Sequence, residues 1–304
     1  MSTQRVLFDV PGPKARRRHL VIALVGGLAL LAILGWVLLR MQEREQLTAA
    51  KWDPFLTVSA WTNYLLPGLW DTVRAAAIAI VLSMVLALGL AMARMSDIAP
   101  LRWAATVFVE FFRAVPVLIM MIFTFFFLSY REFTPDSLNP LIAVVTGLTL
   151  YNSAVICEVI RNGVSSLPAG QREAGLSIGL SPPQVRRSIL VPQALTAMLP
   201  TLVSQVIVIN KDSALGYIIT YSELLTGSRQ LASSEGIPLQ AYIVAAVIFI
   251  VINYALSKAA EAVEARQRRK GRPVVHAEAQ DEAMAGITTA ADAPTGVRTG
   301  GGAG

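Results

Sequence analysis

Six long, strongly apolar stretches of this chain hold no charged side chain, and that pattern restricts the folds open to it. The stretches are 20–39, 75–93, 114–130, 137–157, 188–210 and 236–257, each between 17 and 23 residues long. A bilayer core about 30 Å thick is crossed by roughly 20 apolar residues in a helix. Segment 103–109 can lengthen the shortest run at its start. Lipid offers the backbone no hydrogen-bond partner, so each run is expected to be a helix rather than open sheet. The expected fold is an all-α membrane protein with six transmembrane helices. Composition agrees: 15% of the residues are charged and 54% hydrophobic, whereas soluble domains carry about 25% charged residues. Disordered, collagen-like and ordinary soluble enzyme classes are excluded.

The basic residues orient the chain. With the N-terminus in the cytoplasm, segments 1–19, 94–107, 161–193 and 258–304 face inward and hold 18 of the 26 Lys and Arg, against six in the outer segments 40–68, 130–139 and 211–237. Cytoplasmic loops are enriched in these residues, so both termini are expected in the cytoplasm. The net charge of +6 then reports topology, and no nucleic-acid partner is expected. Lys14, Arg16, Arg17 and Arg18 precede the first run as they would in a signal peptide. That run exceeds the roughly 7–15 residues of a signal core, and no Ala-x-Ala site follows closely, so it reads as a retained span. Arg268, Arg269, Lys270 and Arg272 suit a stop-transfer cluster touching anionic membrane lipid. Segment 273–304, rich in Ala, Gly and Thr, is expected to be disordered.

One cysteine, Cys157, and two histidines, His19 and His276, leave no material for a disulfide framework or a multi-cysteine metal site. They also leave no assembled catalytic group. No metal and no catalytic residue is expected.

The most informative cytoplasmic segment is 165–192. Pro168 suits the first turn of a helix, and Gly179 suits the left-handed position just past its end. Ser181 then offers an N-cap, Pro182 the first helical position and Gln184 the partner of a capping box. Arg186 and Arg187 are expected in the last turn of this second helix, at the negative end of its dipole. Two short helices joined at a glycine offer a compact docking surface to a soluble partner.

This segment resembles the EAA motif of permease subunits of bacterial ABC importers. Glu173 and Ala174 stand at its start, Gly179 six residues after the glutamate, and Pro192 thirteen after the glycine. Gly175 replaces the second alanine of that motif, at about 1 kcal/mol of helix propensity. The resemblance extends over about residues 65–258. Glu110, Phe111, Phe112, Arg113, Ala114, Val115 and Pro116 are similar to the EFFRGTP stretch of polar amino-acid permeases. Glu158, Val159, Ile160, Arg161, Asn162 and Gly163 resemble their EIFRGG stretch, and Lys211, Asp212, Ser213, Ala214 and Leu215 their KDTSL stretch. The short run 6–14 is similar to the start of actinobacterial glutamate-importer permeases of the GluD type.

The resemblance implies a type I importer subunit in a bacterial cytoplasmic membrane, carrying a polar amino acid, glutamate by preference. It implies a five-helix core at 69–258 with the coupling loop at 165–192. Around that core lie a basic cytoplasmic N-terminus (1–19), an additional N-terminal helix (20–40), an outer loop (41–68) and a cytoplasmic tail (259–304). Its implied partners are two copies of an ATPase, a second homologous permease forming a heterodimer, and an extracytoplasmic amino-acid-binding protein. The chain has no G-x-x-x-x-G-K-[ST] phosphate loop. It is expected to bind no cofactor itself, with ATP and Mg on the partner ATPase. The implied coupling residues are Glu173, Ala174, Gly175, Gly179, Ser181, Arg186 and Pro192.

Ionisable and polar groups within spans are the candidates for a substrate path. Asp71 and Arg74, Glu110 and Arg113, and Glu158 and Arg161 are each three residues apart, on one helix face. Such pairs either neutralise one another at span ends or serve the cargo. Arg74, Arg113 and Lys211 are the cations able to meet an anionic side chain, arginine in a bidentate grip. Asn152 and Ser153 in the fourth span, and Ser204 and Gln205 in the fifth, either bond across helices or line the path at mid-depth. Thr124 is expected to bond its own helix backbone. Phe123, Phe125, Phe126 and Phe127 read as packing bulk or, in a sharper reading, as a gate. Pro116 and Pro200 can kink their spans. The rival class is an ATP-independent secondary transporter or channel. Against it stand the lack of a clear inverted repeat and the few midplane charges available to couple ions.

Overall fold

The computed structural model describes residues 12–132 and 134–270. Most of run 6–14, Arg272 and the tail 273–304 lie outside the described residues. The chain divides into two units, Met1–Lys258 and Ala259–Gly304. Among the described residues there is no strand.

Helix α1 (Pro13–Glu43) carries the first apolar run. Its large side chains, Leu20 to Leu39, are exposed all round, and Gly26, Gly27 and Gly35 meet nothing within 4 Å. A helix that is apolar on every side is stable only in an apolar surrounding. Segment 41–68 was expected as a loop. It is instead mostly helical, with turns Ala49–Trp52, Asp53–Leu56 and Val58–Ala60 and a π-turn Trp61–Leu65. Local capping accounts for part of this: the Thr57 hydroxyl accepts the Ala60 N–H at 3.4 Å. The amide of Gln240 fastens the segment by donating to the Gln46 carbonyl at 2.7 Å.

Helix α2 (Leu66–Arg94) is the second span. Ala75, Ala79, Ser83, Ala87 and Ala91 recur every fourth residue and all are buried. This ladder of small side chains lets a second backbone come close. The third expected span is not one helix. Helices α3 (Ala99–Ala114) and α4 (Val117–Arg131) meet at 99°. Pro116 has no N–H to continue the helix and forces the residue before it out of the helical region. Val115 accordingly lies at φ −85°, ψ 127°. Segment 103–109 therefore belongs to a separate arm and does not lengthen the span. Helix α5 (Asn139–Ser165) packs along the α2 ladder and against α3 and α4. A Cβ at Gly147 would stand 2.6 Å from Met121 Cγ, so glycine is what admits α4.

Two short helices follow, α6 (Ala169–Ser177) and α7 (Pro182–Val185). A π-turn, Arg186–Leu190, leads into α8 (Val191–Ala197). The fifth run, 188–210, is thus not one span. It breaks at Met198, and α9 (Leu199–Asp212) continues as a 3-10 turn, Ser213–Ile219. Pro200 sits in the first turn of α9, where its missing N–H needs no partner. The expected outer loop 211–237 holds this turn and a further helix, α10 (Leu224–Glu235). Helix α11 (Pro238–Lys270) is the last span. Among the described residues five helices are long and apolar enough to cross a membrane, and six if the bent α3–α4 pair is counted as one broken span.

The buried side chains form three clusters. One joins Ala75, Ala79, Met121, Val144 and Leu148, a second Ala87, Ala91, Val109, Ile156 and Leu202, and a third Leu65, Leu224, Leu231 and Ala245. In the third, α10 is started by Glu223. Its buried carboxylate accepts the N–H groups of Leu225 at 2.8 Å and Thr226 at 2.7 Å. Burial pushes that carboxyl above its ordinary pKa, and the two backbone donors pull it back.

Candidate functional site

The α6–α8 segment folds into a rigid bracket. Pro168 is the cap before α6 rather than a residue of its first turn, with ψ 135°. Gly179 takes the left-handed conformation at φ 84°. The Gly179 N–H donates to the Leu176 carbonyl at 3.0 Å and the Leu180 N–H to that of Gly175 at 3.2 Å, the double bond of a Schellman stop. Gln184 Oε1 then accepts both the N–H and the hydroxyl of Ser181 at 2.8 Å, which starts α7 as the sequence predicts. Arg186 and Arg187 do not end that helix. The chain stays helical to Ala197, and Pro192, which cannot donate the usual backbone hydrogen bond, follows directly on the wider π-turn Arg186–Leu190.

Gly175 has a packing role that propensity alone misses. It is buried, and a Cβ there would lie 2.9 Å from both Val185 Cγ2 and Ile189 Cδ1. The small residue lets α6 rest on the following helix. Gln193 donates to Gln171 at 2.9 Å across the same seam. Arg186 grips Asp97 in the α2–α3 connection through Nη1 at 3.1 Å and Nη2 at 2.7 Å. That grip holds the Asp97 carboxyl below its ordinary pKa, against a smaller effect of burial. Glu173 and Ala174 stand exposed on α6. Among the described residues the Glu173 carboxylate has no hydrogen bond or ion pair. A fixed helix that presents an uncommitted carboxylate can dock a partner.

Behind the bracket lies an ion cluster with a centre that sequence spacing did not find. Arg94, the last residue of α2, reaches Glu158 of α5 through Nη1 and Glu110 of α3 through Nη2 at 3.3 Å. Arg161 holds the other Glu158 oxygen through Nε at 3.1 Å and Nη2 at 3.0 Å. Arg113 Nη1 lies 3.8 Å from both glutamates. The expected Glu110–Arg113 and Glu158–Arg161 pairs are therefore present, but Arg94 welds them into one network of three helices. Glu158 and Arg113 are engaged here, next to the bracket.

The remaining candidates are scattered. Asn152 and Ser153 are buried and bond their own helix, to the carbonyls of Leu148 at 2.8 Å and Leu150 at 3.0 Å. Asn152 Oδ1, Ser83 Oγ and Thr149 Oγ1 are buried without a hydrogen-bond partner, at mid-length of α2 and α5. Ser204 is exposed and donates to the Pro200 carbonyl at 3.0 Å, and Gln205 beside it is half-buried. Thr124 does not bond its own backbone. It lines an apolar groove of about 390 Å³ with Phe111, Phe112, Phe123 and Leu150, opened by the bend at Pro116. Phe123 stacks on Phe127 at 6.1 Å. Lys211 borders a larger apolar groove of about 610 Å³ with Tyr242, Phe249, Asn253 and Tyr254. Arg74 lies at the opposite end of α2 from Arg94, 3.6 Å from Asp71. The described residues hold no cluster of metal-ligating side chains.

Residues 85–269 match the family model of the binding-protein-dependent transport system inner membrane component. The chain is 46% identical over 227 residues to the glutamate transport system permease protein GluD of Corynebacterium glutamicum, covering 75% of this chain and 83% of that one. It is 31% identical over 223 residues to the L-cystine transport system permease protein TcyB of Bacillus subtilis, covering 73% and 93%. A solved amino acid ABC transporter with histidines superposes with a TM-score of 0.63 at 27% identity, covering 70% of this chain and 98% of that chain. The chain belongs to the binding-protein-dependent inner membrane component family: it is a multi-pass permease subunit of an amino-acid ABC transporter, and ATP is hydrolysed on a separate subunit.

Proposed function

We propose that this permease carries glutamate inward and is driven through the 173–192 bracket by a partner ATPase. The identity to GluD supports the cargo. The uncommitted Glu173 carboxylate on a locked helix carries the coupling assignment. Glu173, Ala174, Gly179, Ser181 and Pro192 form the docking surface, Gly175 holds its two helices together, and Arg186 ties it to the α2–α3 connection. ATPase closure would move the bracket as a rigid body, and the Arg94 network would pass that motion to α2, α3 and α5.

In this reading both termini are cytoplasmic, and 69–258 is the translocation domain. Segment 1–19 is the cytoplasmic lead, 20–40 an added span, 41–68 the outer segment and 259–304 the inner tail. Two ATPase copies with ATP and Mg, a homologous permease in a heterodimer and an amino-acid-binding protein complete the importer. Asn152, Ser153, Ser204, Gln205, Thr124 and Lys211 are candidates for the path inside the spans. The orphaned polar atoms on the α2–α5 seam favour a path there, since each unpartnered buried group costs about 1–3 kcal/mol until the seam opens.

The test is uptake of labelled L-glutamate by the whole complex in ATP-loaded proteoliposomes, with L-cystine in parallel. Concentrative L-glutamate uptake should vanish when the ATPase is made unable to hydrolyse ATP. Uptake that persists would instead support an ATP-independent transporter.

A further inference from the structure

At the end of the bundle away from the bracket lies a polar cavity that the coupling assignment leaves unused. Asp71 stands 23 residues before Arg94 on α2, about 35 Å along the helix. The cavity, about 190 Å³, is lined by Asp71, Arg74, Ser137, Thr220, Tyr221 and Ser222 and by the apolar start of α5. Its walls are pinned. The Tyr221 hydroxyl donates to the Asp71 carbonyl at 2.8 Å, and the Leu224 N–H donates to Thr72 Oγ1 at 3.0 Å. Thr220, a β-branched residue, is held at φ 62° in the left-handed region, a conformation that persists only where the surroundings impose it.

Apart from the Tyr221 hydroxyl, the polar side chains of this cavity make no hydrogen bond among the described residues. Arg74 approaches Asp71 only to 3.6 Å, beyond hydrogen-bond distance. Its guanidinium makes no hydrogen bond among the described residues, and neither do the side chains of Ser137, Thr220 and Ser222. A cavity of about 190 Å³ has room for several waters or for one small amino acid. It presents a planar cation and a carboxylate side by side, and no other charge lines it.

We propose that this cavity is an entry site for the free amino-acid cargo. Arg74 takes the α-carboxylate in a fork-shaped grip, Asp71 takes the ammonium group, and the hydroxyls meet whatever side chain follows. The inference rests on the amino-acid importer reading and adds a site to it. Because the charged pair reads the zwitterionic head, the site accepts small polar amino acids with little regard for side chain.

The test uses the full chain in complex with its ATPase and companion permease in nanodiscs, without binding protein. Binding of L-glutamate, L-glutamine, N-acetyl-L-glutamate and L-glutamate α-amide is followed by saturation-transfer NMR. L-Glutamate and L-glutamine should bind alike, and the two blocked compounds about tenfold or more weaker, since each loses a charged hydrogen bond. Asp71→Asn should abolish the discrimination against N-acetyl-L-glutamate, and Arg74→Gln should weaken both free amino acids by about tenfold. Thermal melting and co-purification with the ATPase report folding. If Arg74→Gln does not assemble, the isosteric Asp71→Asn decides alone. Absence of binding by the intact complex, or binding indifferent to Asp71→Asn, overturns the site. Amino-acid uptake by the wild-type complex with its binding protein, in ATP-loaded proteoliposomes, separates the failures: uptake with indifferent variants removes only this site, and no uptake of any amino acid removes the transport reading itself.

Discussion

Arg94 and Glu158 should be energetically coupled, and a double-mutant cycle measures that coupling. Their side chains are 10% and 11% exposed, so the pair is screened little by solvent. Glu158→Gln leaves Arg94 buried with only Glu110 at 3.3 Å, and leaves Arg161 and Arg113 facing it. Removing one partner of a buried pair costs about 3–5 kcal/mol, and the surviving Glu110 contact puts this case near 3. Arg94→Met leaves Glu158 with the two hydrogen bonds from Arg161, so about 2 kcal/mol is expected, the cost of one charged hydrogen bond. Glu110 and Arg113, at 56% and 41% exposure, add little. The double variant should cost about 3 kcal/mol rather than the sum of about 5, a coupling near 2 kcal/mol. The assay is reversible unfolding in mixed micelles as the SDS fraction rises, followed by tryptophan fluorescence. Additivity within about 0.5 kcal/mol would refute the claim that Arg94 is the centre of the network.

Three further outcomes follow from the geometry. Gly179→Ala places a side chain at φ 84° and should destabilise the bracket by about 1–2 kcal/mol, read as faster proteolysis at 176–182. Gly175→Ala should be close to neutral, because its propensity gain of about 1 kcal/mol meets a Cβ 2.9 Å from Val185 Cγ2; Gly175→Leu should abolish ATPase co-purification. The Asp97–Arg186 grip is pH-dependent. The folded pKa of Asp97 lies below its unfolded value, so its contribution is full above the unfolded pKa and is lost as pH falls through the folded one. A spin label at Ile178 should become more mobile only at that acidic end, and Asp97→Asn should show the mobile spectrum at all pH.

The apolar runs, the Gly179 turn and the Ser181–Gln184 start of α7 were legible in the sequence because each is set by neighbours in the chain. At Pro116 a kink was legible but not its size, since both arms are apolar and hydropathy reads straight through the 99° bend. Only the restriction that proline places on Val115 marked the break. Spacing of three residues found Glu110–Arg113 and Glu158–Arg161 but not Arg94, whose partners lie 16 and 64 residues away. Gly175 looked like a loss of propensity, and only the approach of Val185 and Ile189 gives it a reason.

The docking of an ATPase on the bracket is tested most directly at position 173. Cys157 is the chain's single cysteine and is buried, so a thiol introduced by Glu173→Cys is the one exposed thiol of this chain. In membranes holding the whole complex, a short reagent with one thiol-reactive end and one photoactivated end should join this position to the ATPase subunit, and the ATP-driven uptake that Glu173→Cys retains should stop as the product forms. Full uptake with the reagent bound at 173 and no ATPase adduct would contradict the account.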